Sequence, residues 1–270
     1  MRGIAGSWLL SGEASTPPLA AGAIALDDDG RVIAVGALEA LRPQFSGLVF
    51  EQLPAVLTPG LINAHTHLEL SALRGQVAGG RGFVPWVDNL MRERAKHPPE
   101  LDGEAIERAI SELLGFGVMA IGEVCNRLET AALLAPLPIV ASLFHEVFGM
   151  RKDVGEVTLG LARRERAAQS DWPAHLRYAL APHTPYTLHP DVLQLIVADA
   201  RANGARTSLH LAEHAAERAF LLTGQGAFAD WVRGRGSSEL DWSAPELDPI
   251  RYADRLGVLG PDVIAVHLTD

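Results

Sequence analysis

Six polar residues stand at the ends of apolar runs, and their types and spacing define the chemistry this sequence offers. One run closes as Thr58-Pro-Gly-Leu-Ile-Asn-Ala-His65-Thr-His67, and another as Pro182-His183-Thr-Pro-Tyr186-Thr187. Two more close as Leu209-His210-Leu-Ala-Glu213 and Val266-His267-Leu-Thr-Asp270. In extended backbone, residues i and i+2 point to one face, so His65 and His67 can present two imidazoles to one metal ion. A lone histidine at such a place is more often a solvated loop residue, and a His-x-His pair alone is a weak signal. Several strand-end histidines together, one followed three residues later by a carboxylate, are hard to explain that way.

These side chains need elements to bring them together. Apolar strand-like runs are expected at Val56–Ala64, Val118–Val124, Ile139–Val147, Leu176–Pro182, Arg206–Leu211 and Val263–Val266. Amphipathic helix-like stretches lie between them, for example Gly103–Phe116, Pro190–Asn203 and His214–Thr223. Buried runs alternating with helices indicate βαβ units and a parallel sheet. In a (β/α)8 barrel, reactive groups gather at the C-terminal ends of the strands, which is where these histidines fall. Ahead of this alternation, Ala23–Leu26, the Asp29-Gly30 turn signal and Arg31–Val35 read as a hairpin. The expected organisation is a small β-strand domain over residues 1–56, part of a β-sandwich, and a barrel over residues 57–270 with about six βα units. Ser237–Asp248 reads as a polar insertion before the last unit.

Bulk properties narrow the function classes. The 270 residues are 48% hydrophobic and 21% charged, an ordinary globular composition. A net charge of −10 argues against nucleic acid and anionic membrane surfaces as partners. The single cysteine, Cys125, excludes an intrachain disulfide framework and a thiolate metal cluster. The N-terminal stretch lacks the continuous apolar core of a signal peptide, and no run approaches the ~18 apolar residues of a membrane helix. A cytoplasmic enzyme with a small-molecule substrate, in a possible homodimer, is the expectation.

The string LTPGLINAHTHLELSALRG resembles the entry motif of the amidohydrolase superfamily. SLHLAEHAAE and VIAVHLTD are similar to later active-site segments of its deaminase and chlorohydrolase branch, and PHTPYT to a segment of that branch's nucleoside-type deaminases. The resemblance is greatest to the aminodeoxyfutalosine- and S-adenosylhomocysteine-type deaminases. It implies hydrolytic deamination of an aminated purine nucleoside, with one divalent metal ion, Zn²⁺ or Fe²⁺, held by His65, His67 and His210 and activating a water. Glu213 would shuttle the water's proton, His267 would hydrogen-bond the attacking oxygen, and His183 would contact the substrate. Trp86, in GFVPWVDNL, is read as a wall for ring stacking, although a core or lid tryptophan would look the same. His145 and Glu146 end the third run, where they could line the pocket, with no assigned role. His97, His175 and His189 are read as solvated, His214 as directed away from Glu213, and Glu217 as an exposed charge.

The resemblance also implies an aspartate ligand at the end of an eighth barrel strand, and no residue here corresponds to it. Asp270 directly follows the sixth strand, and the residues after 56 number fewer than the ~250 typical of such a barrel. The expectation is therefore a chain truncated at its C-terminus, with that ligand beyond residue 270. A chlorohydrolase or guanine deaminase would share this metal site and differ only in the pocket. A non-catalytic barrel scaffold is the third reading, since fold alone does not guarantee activity.

Overall fold

The computed structural model describes residues 1–96, 103–234 and 242–270. His97 and residues 237–241 of the polar insertion lie outside the described residues. The chain divides into two compact units, Met1–Leu61 and Ile62–Asp270.

In the first unit, the Asp29-Gly30 signal forms the expected hairpin. Gly30 has a φ of +80°, which suits its lack of a Cβ, and the Asp27 N–H donates to Arg31 O across the turn at 2.9 Å. Strands β1 (Arg2–Leu9), β2 (Leu19–Ala20), β3 (Gly22–Leu26) and β4 (Val32–Ala37) run in the order β2-β1-β3-β4, and β5 (Phe50–Leu57) pairs with β1 in parallel. Of the expected sandwich, the described residues supply one sheet. What packs on it is a helix, Leu38–Gln44. The physical reason lies in the register: Ala5 pairs with Ala23 and Ala25 with Ala34. This shallow face is filled by Leu38, Leu41 and Phe50.

In the second unit, β6 (Leu61–Thr66), β7 (Val118–Cys125), β8 (Val140–Val147) and β9 (Leu176–Pro182) lie side by side in that order. Strands β10 (Thr207–Leu211) and β11 (Val263–His267) form a second parallel pair. The two groups meet where Thr207 Oγ1 donates to Leu180 O at 2.7 Å and the His210 N–H donates to His183 O at 3.0 Å. Spatial order therefore follows chain order, with helices in the crossovers. This is the α/β architecture of a TIM-type barrel. Its layers are closed by apolar contact, as where Leu193, Ile196 and Val197 of the helix Pro190–Ala202 pack on Val147, Leu180, Leu209 and Leu211. Among the described residues, no helix is long and apolar enough to cross a membrane.

The expected run Val56–Ala64 is not one strand. Val56 and Leu57 finish β5, and β6 starts at Leu61. Thr58-Pro59-Gly60 separates them, because Pro59 has no N–H for a ladder and Gly60 resists extension. The other five runs lie within one residue of the observed strands.

Candidate metal and hydrolytic site

The ends of β6, β9, β10 and β11 converge, and they carry His65, His67, His183, His210 and His267. Ring centroids of His65 lie 4.9 Å from His67, 4.9 Å from His210 and 5.3 Å from His267. Close approach of β6 to β7 helps place His65: a Cβ on Gly122 would come within 2.2 Å of Ala64 O. After His67 the chain turns, and Glu123 on β7 accepts the Leu68 N–H through both carboxylate oxygens at 3.1 Å.

His65, His210 and His267 form a trio whose ligand atoms all lie within 4.8 Å of one another, as do those of Glu146, His183 and His210. His67 stands beside the first trio, 5.5 Å from His210 by ring centroids. His65 Nδ1 is buried without a hydrogen-bond partner among the described residues, as a nitrogen reserved for a ligand would be. His210 Nδ1 lies 3.1 Å from His183 O. A carbonyl oxygen can only accept, so Nδ1 carries the proton and Nε2 keeps its lone pair. Burial first, and then the neighbouring imidazoles, lower His65 to about 4. Burial likewise brings His67 to about 4, against the pull of Glu146. Both are therefore neutral near pH 7, the form that binds a cation. This donor set fits one divalent metal ion.

That electrostatic arrangement has a consequence for the metal-free protein. Between pH 6.5 and about 4 the folded His65 and His67 hold fewer protons than their unfolded counterparts. Their contribution to stability is present above pH 6.5 and is lost as pH falls through that window. Denaturant melts of chelator-treated protein should show the decline, and His67→Ala should flatten it. A decline of equal steepness in that variant would contradict the placement.

Glu213 sits past the end of β10, where burial raises its carboxyl pKa against the opposing pull of His210. Its Oε1 is 3.6 Å from His267 Nε2. The backbone around it is strained: Ala212, just before Glu213, has a φ of +52°, and His267 and Leu268, at the end of β11, have φ values of +76° and +52°. Non-glycine residues adopt this region at a cost, and such strain clusters at functional sites. Glu213 also lines a cavity of about 410 Å³ with Gly79, Gly80, Gly82, Phe83 and Trp86. Trp86, on the helix Phe83–Lys96, thus faces the same space as Glu213.

Glu146 is the residue whose importance the sequence did not reveal. Ending β8, its side chain is 5% exposed, with Oε1 3.2 Å from His210 Nδ1 and 4.0 Å from His183 Nε2. The His210 N–H is directed at His183 O, so Glu146 Oε1 has charge contacts and no hydrogen bond. Burial alone would raise this carboxyl pKa. The imidazoles of His183, His210 and His67 outweigh burial and hold it below the carboxylate range. Its other oxygen accepts from Asn126 Nδ2 at 3.0 Å, and the Asn126 N–H donates to Glu69, which Arg94 also binds. The signal that could have exposed this network is acids inside apolar strands, since buried carboxylates require partners. Glu217, expected to be exposed, is 1% exposed. His214 turns its ring onto Phe83, with centroids 3.5 Å apart.

Residues 56–231 match the model of the amidohydrolase family. The chain belongs to that family. It is 31% identical over 255 residues to aminodeoxyfutalosine deaminase of Deinococcus radiodurans, a match covering 88% of this chain and 58% of the relative. Among solved structures it resembles Helicobacter pylori aminofutalosine deaminase in complex with methylthio-coformycin. That likeness has a TM-score of 0.77 at 24% identity, over 86% of this chain and 56% of the other. It also resembles an adenosine deaminase from Xanthomonas campestris with bound zinc, with a TM-score of 0.70 at 23% identity, over 99% and 57%. The chain thus spans little more than half the length of these relatives.

Proposed function

We propose that the whole protein is a metal-dependent hydrolytic deaminase of an aminated purine nucleoside, most like aminodeoxyfutalosine. The observation that carries this reading is the carboxylate of Glu213 set between a cluster of imidazoles and a cavity walled by Trp86. The kinship with deaminases acting on such substrates supports it. His65, His67 and His210 are assigned to one Zn²⁺ or Fe²⁺ ion, with His267 beside them. The ion, when bound, supplies Lewis-acid activation of a water.

The remaining chemistry belongs to the chain's own side chains. Glu213, its pKa raised by burial, accepts the water's proton on a carboxylate oxygen and returns it to the purine ring or to the departing amine. His267 hydrogen-bonds the attacking oxygen. Trp86 stacks on the purine.

His183 is tuned to bind a hydroxyl. Thr184 Oγ1 accepts the N–H groups of Tyr186 and Thr187, so its own proton goes to Thr187 Oγ1 at 2.8 Å. We assign the Thr187 hydroxyl as donor to His183 Nδ1 at 2.7 Å, which places the hydrogen of His183 on Nε2. That N–H donor stands beside the unpaired Oε1 of Glu146. One donor and one acceptor side by side suit a sugar hydroxyl, which can accept from the first and donate to the second.

The test is a panel of adenosine, methylthioadenosine, S-adenosylhomocysteine and aminodeoxyfutalosine, each assayed for ammonia with metal-loaded whole protein. Ammonia from at least one is expected. Where a substrate and its 2′- and 3′-deoxy analogues can be compared, the analogues should lose about 10-fold or more in kcat/KM, the cost of leaving buried polar groups unpaired. No ammonia from any nucleoside, with chloride released from a chlorinated triazine, would overturn the reading in favour of a chlorohydrolase.

A further inference from the structure

Glu217 begins its helix in an unusual way. The helix Ala215–Thr223 has His214 as its N-cap, and the cap's ring Nδ1 accepts the Glu217 N–H at 3.0 Å. In an ordinary capping box, the acid at Glu217's position would reach back to the N–H of the cap residue itself. Glu217 reaches further. Its Oε1 accepts the Ala212 N–H at 3.0 Å, and its Oε2 accepts the Glu213 N–H at 2.8 Å.

The opposite side of the same two peptides is also held. Ala212 O accepts the N–H groups of Thr269 and Asp270 at 2.8 and 3.0 Å, and Glu213 O accepts Thr269 Oγ1 at 2.7 Å. Both donors and both acceptors of residues 212 and 213 are thereby engaged, at the point where Ala212 is forced to a φ of +52°. A left-handed alanine is strained by its Cβ, so this turn persists only where its surroundings impose it. Glu217 imposes it at some electrostatic cost. Burial raises its carboxyl to about 7 although two backbone N–H groups oppose the rise.

The same cap fixes the cavity wall. His214 Nδ1 is an acceptor, so its hydrogen is on Nε2 and points to Tyr186 Oη at 3.2 Å. The ring held in this way stacks on Phe83, three residues before Trp86.

We propose that Glu217 is a positioning residue for the Glu213 carboxylate: its two oxygens clamp the strained Ala212–Glu213 turn and so set where Glu213 reaches over the imidazole cluster. The kinetic part of this inference rests on the deaminase reading above, and the structural part does not. Glu217 touches no reacting atom. Its effect is transmitted through one peptide turn, and a displacement of about 1 Å at a reacting group can cost ~10²-fold in rate.

The test compares Glu217→Ala, which removes both acceptors, with Glu217→Gln, which keeps one and is the milder variant if the alanine folds poorly. Both are examined in metal-loaded whole protein. In Glu217→Ala, kcat should fall about 10–100-fold with KM and metal content near wild type, and Glu217→Gln should fall between that variant and wild type. The decisive comparison is Glu213→Gln/Glu217→Ala against Glu213→Gln alone. A residue that acts through Glu213 adds little once Glu213 is disabled. A fully additive loss, or unchanged kcat in Glu217→Ala, would overturn the proposal.

Amide hydrogen exchange supplies the arm that needs no turnover. Protection at Ala212 and Glu213 should drop in both variants while β8 keeps its protection. Wild-type protection at 212–213 in both variants would overturn the clamp whatever the enzyme does. A wild type that releases no ammonia but shows the clamp by exchange would sink the deaminase reading alone.

Discussion

Glu213→Gln in the metal-loaded whole protein should lower turnover by about 10²–10⁴-fold, the usual contribution of a general acid–base group. Glutamine keeps the size and much of the hydrogen-bonding shape of the side chain, and it removes the base. The carboxylate is outside the close trio of imidazoles, so metal content should hold. Substrate binding should largely persist, because the lost interaction is made mainly in the transition state. Burial raises the Glu213 pKa above that of an exposed carboxylate. The acid limb of the pH–rate profile should therefore lie above the ordinary carboxylate range in wild type and vanish in the variant. A structural Glu213 would give the reverse: lost stability and lost metal, with residual activity in proportion to folded protein. Elemental analysis and circular dichroism on the same samples distinguish the two.

His210→Ala should do the most damage to the metal site. Its side chain is 7% exposed, and Nδ1 is engaged by His183 O and faces Glu146, so the imidazole is held with Nε2 free. Removing a direct ligand should weaken metal binding by more than the ~10–100-fold lost with an outer-shell partner. The substitution also leaves Glu146 buried and ionised without its nearest imidazole, 3.2 Å away. A buried charge left without its partner is destabilising, so the metal-free variant should itself unfold at lower denaturant. Glu146→Gln should relieve part of that penalty in the double variant. Unchanged metal occupancy in His210→Ala would remove His210 from the site.

Most of what positions this site was legible in the sequence. The β/α alternation was readable because strands covered on both faces are rich in apolar residues, as Val263-Ile-Ala-Val266 of β11 is. The strand-end histidines were readable because alternation in extended backbone fixes which residues share a face. The break at Thr58-Pro59-Gly60 was not read as the boundary between β5 and β6, although Pro59 and Gly60 are the residues that end strands. The acids were the harder part. Glu123, Glu146 and Glu217 are each nearly fully buried, and their partners are a backbone N–H at 68, imidazoles at 183 and 210, and N–H groups at 212 and 213. All but the last of these are distant in sequence. Glu217 lies four residues from Glu213, yet as a charged residue on a helix it read as exposed. The N-cap geometry at His214 turns it inward, and spacing rules do not encode that.

The central claim is hydrolytic removal of an amine from a purine nucleoside, and the most direct measurement is turnover in ¹⁸O-labelled water. Metal-loaded whole protein is incubated with the panel substrate that is turned over fastest, while ammonia and the isotopic mass of the product are followed together. Hydrolytic deamination predicts one ammonia and one solvent oxygen, at the carbon that bore the amine, for each product molecule, with neither formed by Glu213→Gln on the same timescale. Product without solvent oxygen, or no ammonia from fully metal-loaded protein, would contradict it.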